Sequence, residues 1–281
     1  MNRREEYNKI AERVVGHVEN NTTDQANSIL SIPTSDYTCK ERWGIEIKKI
    51  FKELPLMLAL TIEIPNKGDY KSMEVVGIPV LITRDKDNNV HAFRNVCSHR
   101  GAPLTGDEIG NRNKFTCPYH GWTYSNKGDL IGILENEKFG ELDKSCNGLQ
   151  ALPCKEFSGM VFVTLTPEID MNLDQFLGGM KSEIKHFELE NWYYHGFKVI
   201  NGANWKIAFD GYLEGYHFST AHKETILPMT KQGIMDFSSF GPHLRIAFAS
   251  TNIEEIYDLP KNEWWKKEGQ GVDFVRTLFP N

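Results

Sequence analysis

Two short segments decide how the chain is read: Cys97-Ser98-His99-Arg100-Gly101 and, with seventeen residues between His99 and the next cysteine, Cys117-Pro118-Tyr119-His120-Gly121-Trp122. Each is a two-pronged clamp, one a C-x-H pair and the other a C-x-x-H pair. Two thiolates and two neutral imidazoles suit a [2Fe–2S] cluster in which the sulfurs hold one iron and the histidines the other. Exchanging thiolate for imidazole removes negative charge and raises the potential into roughly the −150 to +300 mV range. The same four residue types also permit a tetrahedral zinc site, so the ligand chemistry alone leaves both open. The first clamp follows a predicted strand ending at Val96 and the second follows Lys114-Phe115-Thr116. Both therefore fall on tight loops at strand ends, where Gly101, Pro118 and Gly121 shape the backbone.

Working outward, Tyr7, Ile10, Val14 and Val18 recur at helical spacing. Thr38 with Glu41 three residues on predicts a capped helix before Trp43, Ile47, Ile50, Phe51 and Leu54. The texture then changes to short β-rich runs at 75–82 and 90–93, with the turn-forming Asp85-Lys86-Asp87-Asn88-Asn89 between them, which reads as a hairpin. Further turn chemistry at Asn126-Lys127-Gly128-Asp129 and the strand-like Met160-Val161-Phe162-Val163-Thr164-Leu165 predict a small all-β unit closing near Pro167. Beyond it Leu173, Phe176, Leu177, Met180 and Ile184 restore helical periodicity, and Leu244 to Ala249 reads as a strand. The expected organisation is α+β: a helical segment over 1–54, an all-β domain over 55–167 and an α+β domain over 168–281.

Composition narrows the functional classes. A chain of 281 residues has the length for two cored domains. Its formal charge of −6, with lysines and arginines scattered, offers no basic stripe and argues against nucleic acid as a partner. The start, Met1-Asn2-Arg3-Arg4-Glu5-Glu6, lacks a signal peptide's apolar core, and the longest apolar stretch, 54–62, is about half of the roughly 20 residues that span a bilayer. The expectation is an intracellular, cytoplasmic protein with reduced thiols. Of its five cysteines only Cys97 and Cys117 have a histidine within clamp distance; Cys39, Cys146 and Cys154 read as plain thiols.

A second constellation lies in Asn204-Trp205-Lys206-Ile207-Ala208-Phe209-Asp210-Gly211-Tyr212-Leu213-Glu214-Gly215-Tyr216-His217-Phe218-Ser219-Thr220-Ala221-His222. On one continuous helix Asp210, Glu214 and His217 would stack on one face. His217 and His222 are five apart, about 140° around an ideal helix, so a metal held by both requires the helix to end or distort. This differs from the i, i+4 pair of H-E-x-x-H zinc proteases. Two histidines with a carboxylate and open positions form the facial triad of non-haem Fe(II) oxygenases. The bland alternative is a surface helix with solvated acids. His17, His91, His186, His195 and His243 have no ligand-spaced partner and read as surface or core residues.

The segments Cys97-x-His99-Arg100-Gly101-Ala102-Pro103-Leu104 and Cys117-Pro118-Tyr119-His120-Gly121-Trp122 closely resemble the Rieske domain of ring-hydroxylating oxygenases. Asn204-Trp205-Lys206, followed by an acid, Tyr216-His217 and His222, resembles the catalytic-domain motif of the alpha subunits of the same Rieske non-haem iron oxygenase family. The resemblance implies a [2Fe–2S] cluster on Cys97, His99, Cys117 and His120, and a mononuclear Fe(II) on His217 and His222. It implies an all-β Rieske domain of small antiparallel sheets and a partial, helix-grip-like α+β catalytic domain. Glu214 takes the place of the acid that bridges a Rieske histidine, here His120, to an iron-ligand histidine of the neighbouring subunit. The family usually has Asp there, so Glu is a departure. Asp210 occupies a position near the iron often held by Asn.

The third ligand of the family, an Asp or Glu, is expected beyond Asn281. Residues 272–281 read as an internal strand entering a turn, and the chain is expected to be cut short; Glu224, Asp236 or Glu254 would substitute only by departing from the pattern. The implied activity is O2-dependent hydroxylation of an organic substrate, expected to be aromatic. Electrons would come from NAD(P)H through a ferredoxin or reductase, and the assembly would be a homotrimer, with or without a beta subunit. The competing reading is a Rieske electron-transfer protein without oxygenase activity.

Overall fold

The fold is described from a computed structural model covering residues 3–106, 109–267 and 272–274. It divides into two units. Of the described residues one, the cluster unit, comprises Lys40–Gln175 and Phe187–Phe197; the other comprises 3–39, Phe176–His186 and those within 198–274. Residues 40–52 thus group with the β-rich part and Phe176–His186 with the other unit.

In the cluster unit a five-stranded antiparallel sheet is ordered β5-β2-β3-β4-β9. Its strands are β2 (Asp69–Val75), β3 (Ile78–Arg84), β4 (Val90–Arg94), β5 (Ile109–Asn111) and β9 (Ala151–Leu152). A second sheet joins β1 (Leu56–Leu60), β11 (Met160–Val163) and β10 (Cys154–Phe157), and a third joins β6 (Lys114–Thr116), β7 (Thr123–Ser125) and β8 (Leu130–Gly132). Strand alternation sorts the side chains of β3 and β4 into two cores. Val80, Ile82 and Ala92 pack with Leu56, Val161 and Val163 of the second sheet. Leu81 and Phe93 face the opposite way, into a cluster with Cys97, Cys117, Trp122 and Tyr124. Burial on both faces is the reason the β3 sequence is apolar without alternation.

The stretch 75–82 is two strands rather than one. Val76 and Gly77 both have positive φ, 49° and 75°, and turn β2 into β3 with Val75 opposite Ile78. A two-residue turn with both φ positive matches the right-handed twist of a hairpin. Valine seldom adopts that conformation, which hides the turn from a reading of composition. The turn at 85–89 is as expected and closes on Asp85, whose buried carboxylate accepts from the amides of Asp87 and Asn89 and from His91 Nε2 at 2.9 Å. The capped helix expected from Thr38 is interrupted: Ser35–Thr38 ends at an extended Cys39, and Lys40–Glu46 resumes before a wider π turn over Ile47–Lys52.

In the second unit the helix Arg3–Asn20 lays Tyr7, Ile10, Ala11 and Val14 against Ile234, Ala247 and Ala249 of an antiparallel sheet. That sheet is ordered β12-β13-β14, with β12 at Thr230–Phe240, β13 at His243–Ser250 and β14 at Val272–Phe274. Residues 275–281 of the expected terminal strand and turn lie outside the described residues. Ion pairs fix the helix in register on the sheet. Arg13 donates twice to the buried Asp236, and Arg245 on β13 lies 3.0 Å from Glu6 and 2.9 Å from Glu183. The periodicity at 173–184 resolves into two short helices, Leu173–Leu177 and Met180–His186, broken at Gly178-Gly179.

Asn95, at the exit of β4 and two residues before Cys97, is the buried suture of the cluster unit. Its Nδ2 donates to Ser72 Oγ at 2.9 Å and to the Thr105 carbonyl at 2.7 Å, and its Oδ1 accepts from the Leu104 amide. Asn95→Ala leaves these partners unsatisfied at a cost of about 3 kcal/mol. Thermal unfolding followed by circular dichroism should show a midpoint lowered by about 5–10 °C; an unchanged midpoint would show that the suture carries no stability.

Candidate functional site

The two clamp loops are built alike. In each, the cysteine amide donates to the carbonyl five residues on, Cys97 to Ala102 at 2.8 Å and Cys117 to Trp122 at 2.7 Å. In each, the glycine four residues on returns a bond to the cysteine carbonyl, Gly101 at 2.8 Å and Gly121 at 3.0 Å. Both glycines have φ near +72°, in the left-handed region where a side chain is disfavoured. The cysteines are buried, while His99 and His120 are half-buried with ring centroids 4.7 Å apart. Trp122 stacks on His99 at 4.8 Å, its ring tilted 8° from the imidazole.

The donor set fits a two-iron cluster better than one zinc ion. Zinc would gather four donors 2.0–2.3 Å from one centre, so that they lie within about 4 Å of one another. Among the described residues no three of Cys97, His99, Cys117 and His120 have donor atoms within 4.8 Å of one another. His99 Nδ1 is buried without a hydrogen-bond partner, as a nitrogen reserved for a metal would be. Partial burial, then the neighbouring His120 and Arg100, push the His99 pKa down, which favours the neutral imidazole that ligates metal.

Tyr124 escapes a search for ligand spacing, yet it touches the site. Its hydroxyl lies 3.2 Å from Cys97 Sγ and 2.8 Å from Ser98 Oγ, and it accepts from the Ser98 amide at 3.1 Å. Burial first, then the bond to Cys97, push the phenol up to about 12, so it stays a hydroxyl able to donate. Ser98 Oγ donates its own proton to the Asn147 carbonyl, so the phenol proton is shared between Ser98 Oγ and the sulfur. The sequence signal is strand alternation, which turns Trp122 and Tyr124 inward together.

The second constellation lies in the other unit. The helix Trp205–Tyr212 is capped by Asn204, whose side chain accepts from the amides of Lys206 and Ile207. It ends before Glu214, so the expected polar stripe of Asp210, Glu214 and His217 does not lie along one helix. A short 3₁₀ turn, Tyr216–Ser219, follows. The His217 carbonyl then accepts from the amides of Thr220 and Ala221, closing a tight corner that brings the His217 and His222 rings to 5.1 Å. Glu214 accepts a short hydrogen bond at His217 Nδ1 and caps the amides of Tyr216 and His217. A carboxylate on one ring nitrogen fixes the tautomer and frees Nε2 for a metal, the usual support of a ligating histidine.

Glu214, His217 and His222 form the polar end of a cavity of about 610 Å³ whose apolar walls include Tyr212, Phe218, Met229 and Phe248. Asp210 does not line it. Its carboxylate accepts from the Tyr37 hydroxyl at 2.6 Å, and the same segment takes Asn204 Nδ2 on the Tyr37 carbonyl and Lys206 Nζ on that of Asp36. The bond to Asp210 raises the Tyr37 pKa. Among the described residues no acid joins His217 and His222 as a third donor. Asp236 is taken by Arg13 and Glu254 by Lys231. His17, Asp24 and Asp236 do converge elsewhere, but with Arg13 already on the Asp236 carboxylate they form a polar clasp.

A hydrogen bond to a ligating sulfur withdraws negative charge and stabilises the reduced cluster. Tyr124→Phe should therefore lower the midpoint potential by about 40 mV, the equivalent of about 1 kcal/mol for one electron. Redox titration followed by electron paramagnetic resonance measures this, and an unshifted potential would remove Tyr124 from the site.

Comparison with known proteins bears on both constellations. Residues 55–151 match the Rieske [2Fe-2S] domain family, and residues 188–281 match the ring hydroxylating alpha subunit (catalytic domain) family. The glycine betaine monooxygenase oxygenase subunit of Pseudomonas aeruginosa is 32% identical over 70% of this chain and 46% of its own length. The anthranilate 1,2-dioxygenase large subunit of Acinetobacter baylyi is 32% identical over 70% of this chain and 43% of its own. A quaternary ammonium Rieske monooxygenase, solved with an inhibitor, superposes with a TM-score of 0.72 at 25% identity, covering 78% of this chain and 62% of that one. The chain spans about half the length of the curated relatives it matches. With a Rieske domain that binds [2Fe–2S] and a catalytic domain of the type that binds mononuclear iron, the chain belongs to the Rieske oxygenase alpha-subunit family.

Proposed function

We propose that this chain is the oxygenase component of a Rieske non-haem iron oxygenase that hydroxylates a small organic molecule. The observation that carries the reading is the pairing of His217 and His222 at the head of an apolar cavity, with Glu214 holding His217 Nδ1. When bound, the [2Fe–2S] cluster supplies single electrons and the Fe(II) supplies O2 activation. Cys97, His99, Cys117 and His120 hold the first; His217 through Nε2, with His222, holds the second. Glu214 keeps the His217 tautomer fixed, and Tyr212, Phe218 and Phe248 exclude water and orient the substrate. Those aromatic walls suit either a flat ring, the aromatic substrate expected from the sequence, or a quaternary ammonium group resting on ring faces.

The assembly belongs to the same proposal. Electrons would come from NAD(P)H through a separate ferredoxin or reductase, and a ring of subunits, a homotrimer with or without a beta subunit, would bring Glu214 against His120 of a neighbour. A cytoplasmic setting suits this chemistry; among the described residues no helix is long and apolar enough to cross a membrane. An electron-transfer protein without oxygenase activity would need only the first domain, so the histidine pair and its cavity favour the oxygenase.

Metal stoichiometry separates the readings. After anaerobic reconstitution the full chain should contain about three iron atoms and two acid-labile sulfides, and His222→Ala should lose the third iron alone. Two irons in both proteins would leave a carrier, and zinc without sulfide would overturn the proposal.

A further inference from the structure

The two iron-site rings are held very unequally. The His217 ring is fixed by Glu214, whereas among the described residues His222 Nδ1 has only Thr225 Oγ1 at a long 3.4 Å. Packing therefore decides where the His222 imidazole points: it rests against the His217 ring at 5.1 Å, and Phe218 packs against both. Its ring meets His217 edge-on at 5.0 Å and 84°, and His222 edge-on at 6.1 Å and 75°. Phe218 lies four residues before His222 on a tight corner, and its own amide bonds back to the Gly215 carbonyl at 3.1 Å. It is only half-buried, so something must in turn hold it. That partner is Phe248 on β13, buried at 6% exposure, with its ring 5.2 Å from Phe218 and tilted 40°.

Gly215 completes the arrangement. Its φ of −117° is open to any residue, so the missing side chain serves space rather than backbone freedom. A Cβ there would lie 2.8 Å from Phe248 Cε1 and 3.1 Å from Phe218 Cε2. The glycine is the gap into which both rings fit.

We infer that Phe248 is a positioning residue of the mononuclear iron site, acting through Phe218 to set the His222 imidazole against His217, with Gly215 providing the room. The inference rests on the reading of His217 and His222 as a metal pair. It adds to it that the geometry of the pair is set from the sheet, by a residue that ligates nothing.

Co(II) is the probe, titrated anaerobically into the full chain with its iron-sulfur cluster in place and followed by the visible d–d bands. His222→Ala gives the baseline. Phe248→Ala should weaken Co(II) binding about 10-fold and alter the band envelope, while Phe248→Tyr, which keeps the ring, should restore both. Gly215→Ala should reproduce the weakening without removing any aromatic group. Combining it with Phe248→Leu, which vacates the crowded volume, should recover binding, an outcome that general destabilisation does not give. The cluster's electron paramagnetic resonance signal should be unchanged throughout, showing that the cluster unit is intact. Circular dichroism, followed through thermal unfolding, should match the wild type at the titration temperature, showing that the mutated unit has folded.

Wild-type binding in both Phe248→Ala and Gly215→Ala would overturn the inference and leave the metal pair standing. Loss in both with no recovery in the double variant would overturn it in favour of simple destabilisation. No difference between the wild type and His222→Ala would overturn the metal pair itself, and this inference with it.

Discussion

A cysteine whose amide and carbonyl are both spent inside its own loop is the constraint on which the cluster unit depends. Cys97 and Cys117 each use their two backbone groups to close a loop, and each closure needs a glycine in the left-handed region. With no backbone bond left over for a sheet, the loops stand clear of the strands and present their side chains toward one another. The buried core beneath them then has to be polar in the right places. Asn95 supplies three hydrogen bonds at the start of the first loop, and Tyr124 answers the Ser98 amide and the Cys97 sulfur.

The second unit solves a different problem with weaker means. Two histidines five residues apart cannot share a face of a regular helix, so the helix Trp205–Tyr212 stops and the chain turns a corner closed by shared acceptors, the His217 carbonyl and the Glu214 carboxylate, rather than by a helical ladder. Such a corner has little rigidity of its own. Its stiffness is borrowed: from the Ser35–Thr38 segment, which grips the helix at Asn204, Lys206 and Asp210, and from Phe248 on the sheet.

The sequence made the ligand chemistry readable because clamp spacing and flanking glycines are local. The helix Arg3–Asn20 was equally plain, since the periodic stripe of Tyr7, Ile10 and Val14 lies at the centre of its buried face. What stayed hidden was non-local or ran against propensity. Val76 at positive φ turns a strand where valine predicts continuation. Asp210 lies at the right spacing to join a polar stripe, but its carboxylate is claimed by Tyr37, 173 residues away in the chain. The helix end before Glu214 reflects the two glycines Gly211 and Gly215, whose low helix propensity outweighs the amphipathic pattern of the segment.

The uneven burial of the four residues proposed to hold the cluster has a consequence for traffic. The sulfurs of Cys97 and Cys117 lie beneath the surface and the imidazoles of His99 and His120 reach toward it. Neutral imidazoles would favour reduction of the iron they held, which would place the added electron on the outward side. Tunnelling falls off steeply with distance, and the inward side is walled by Phe93, Phe115 and Tyr124. A cluster held there would therefore be reached from one side: its imidazole face is where an electron could enter or leave over the shortest path.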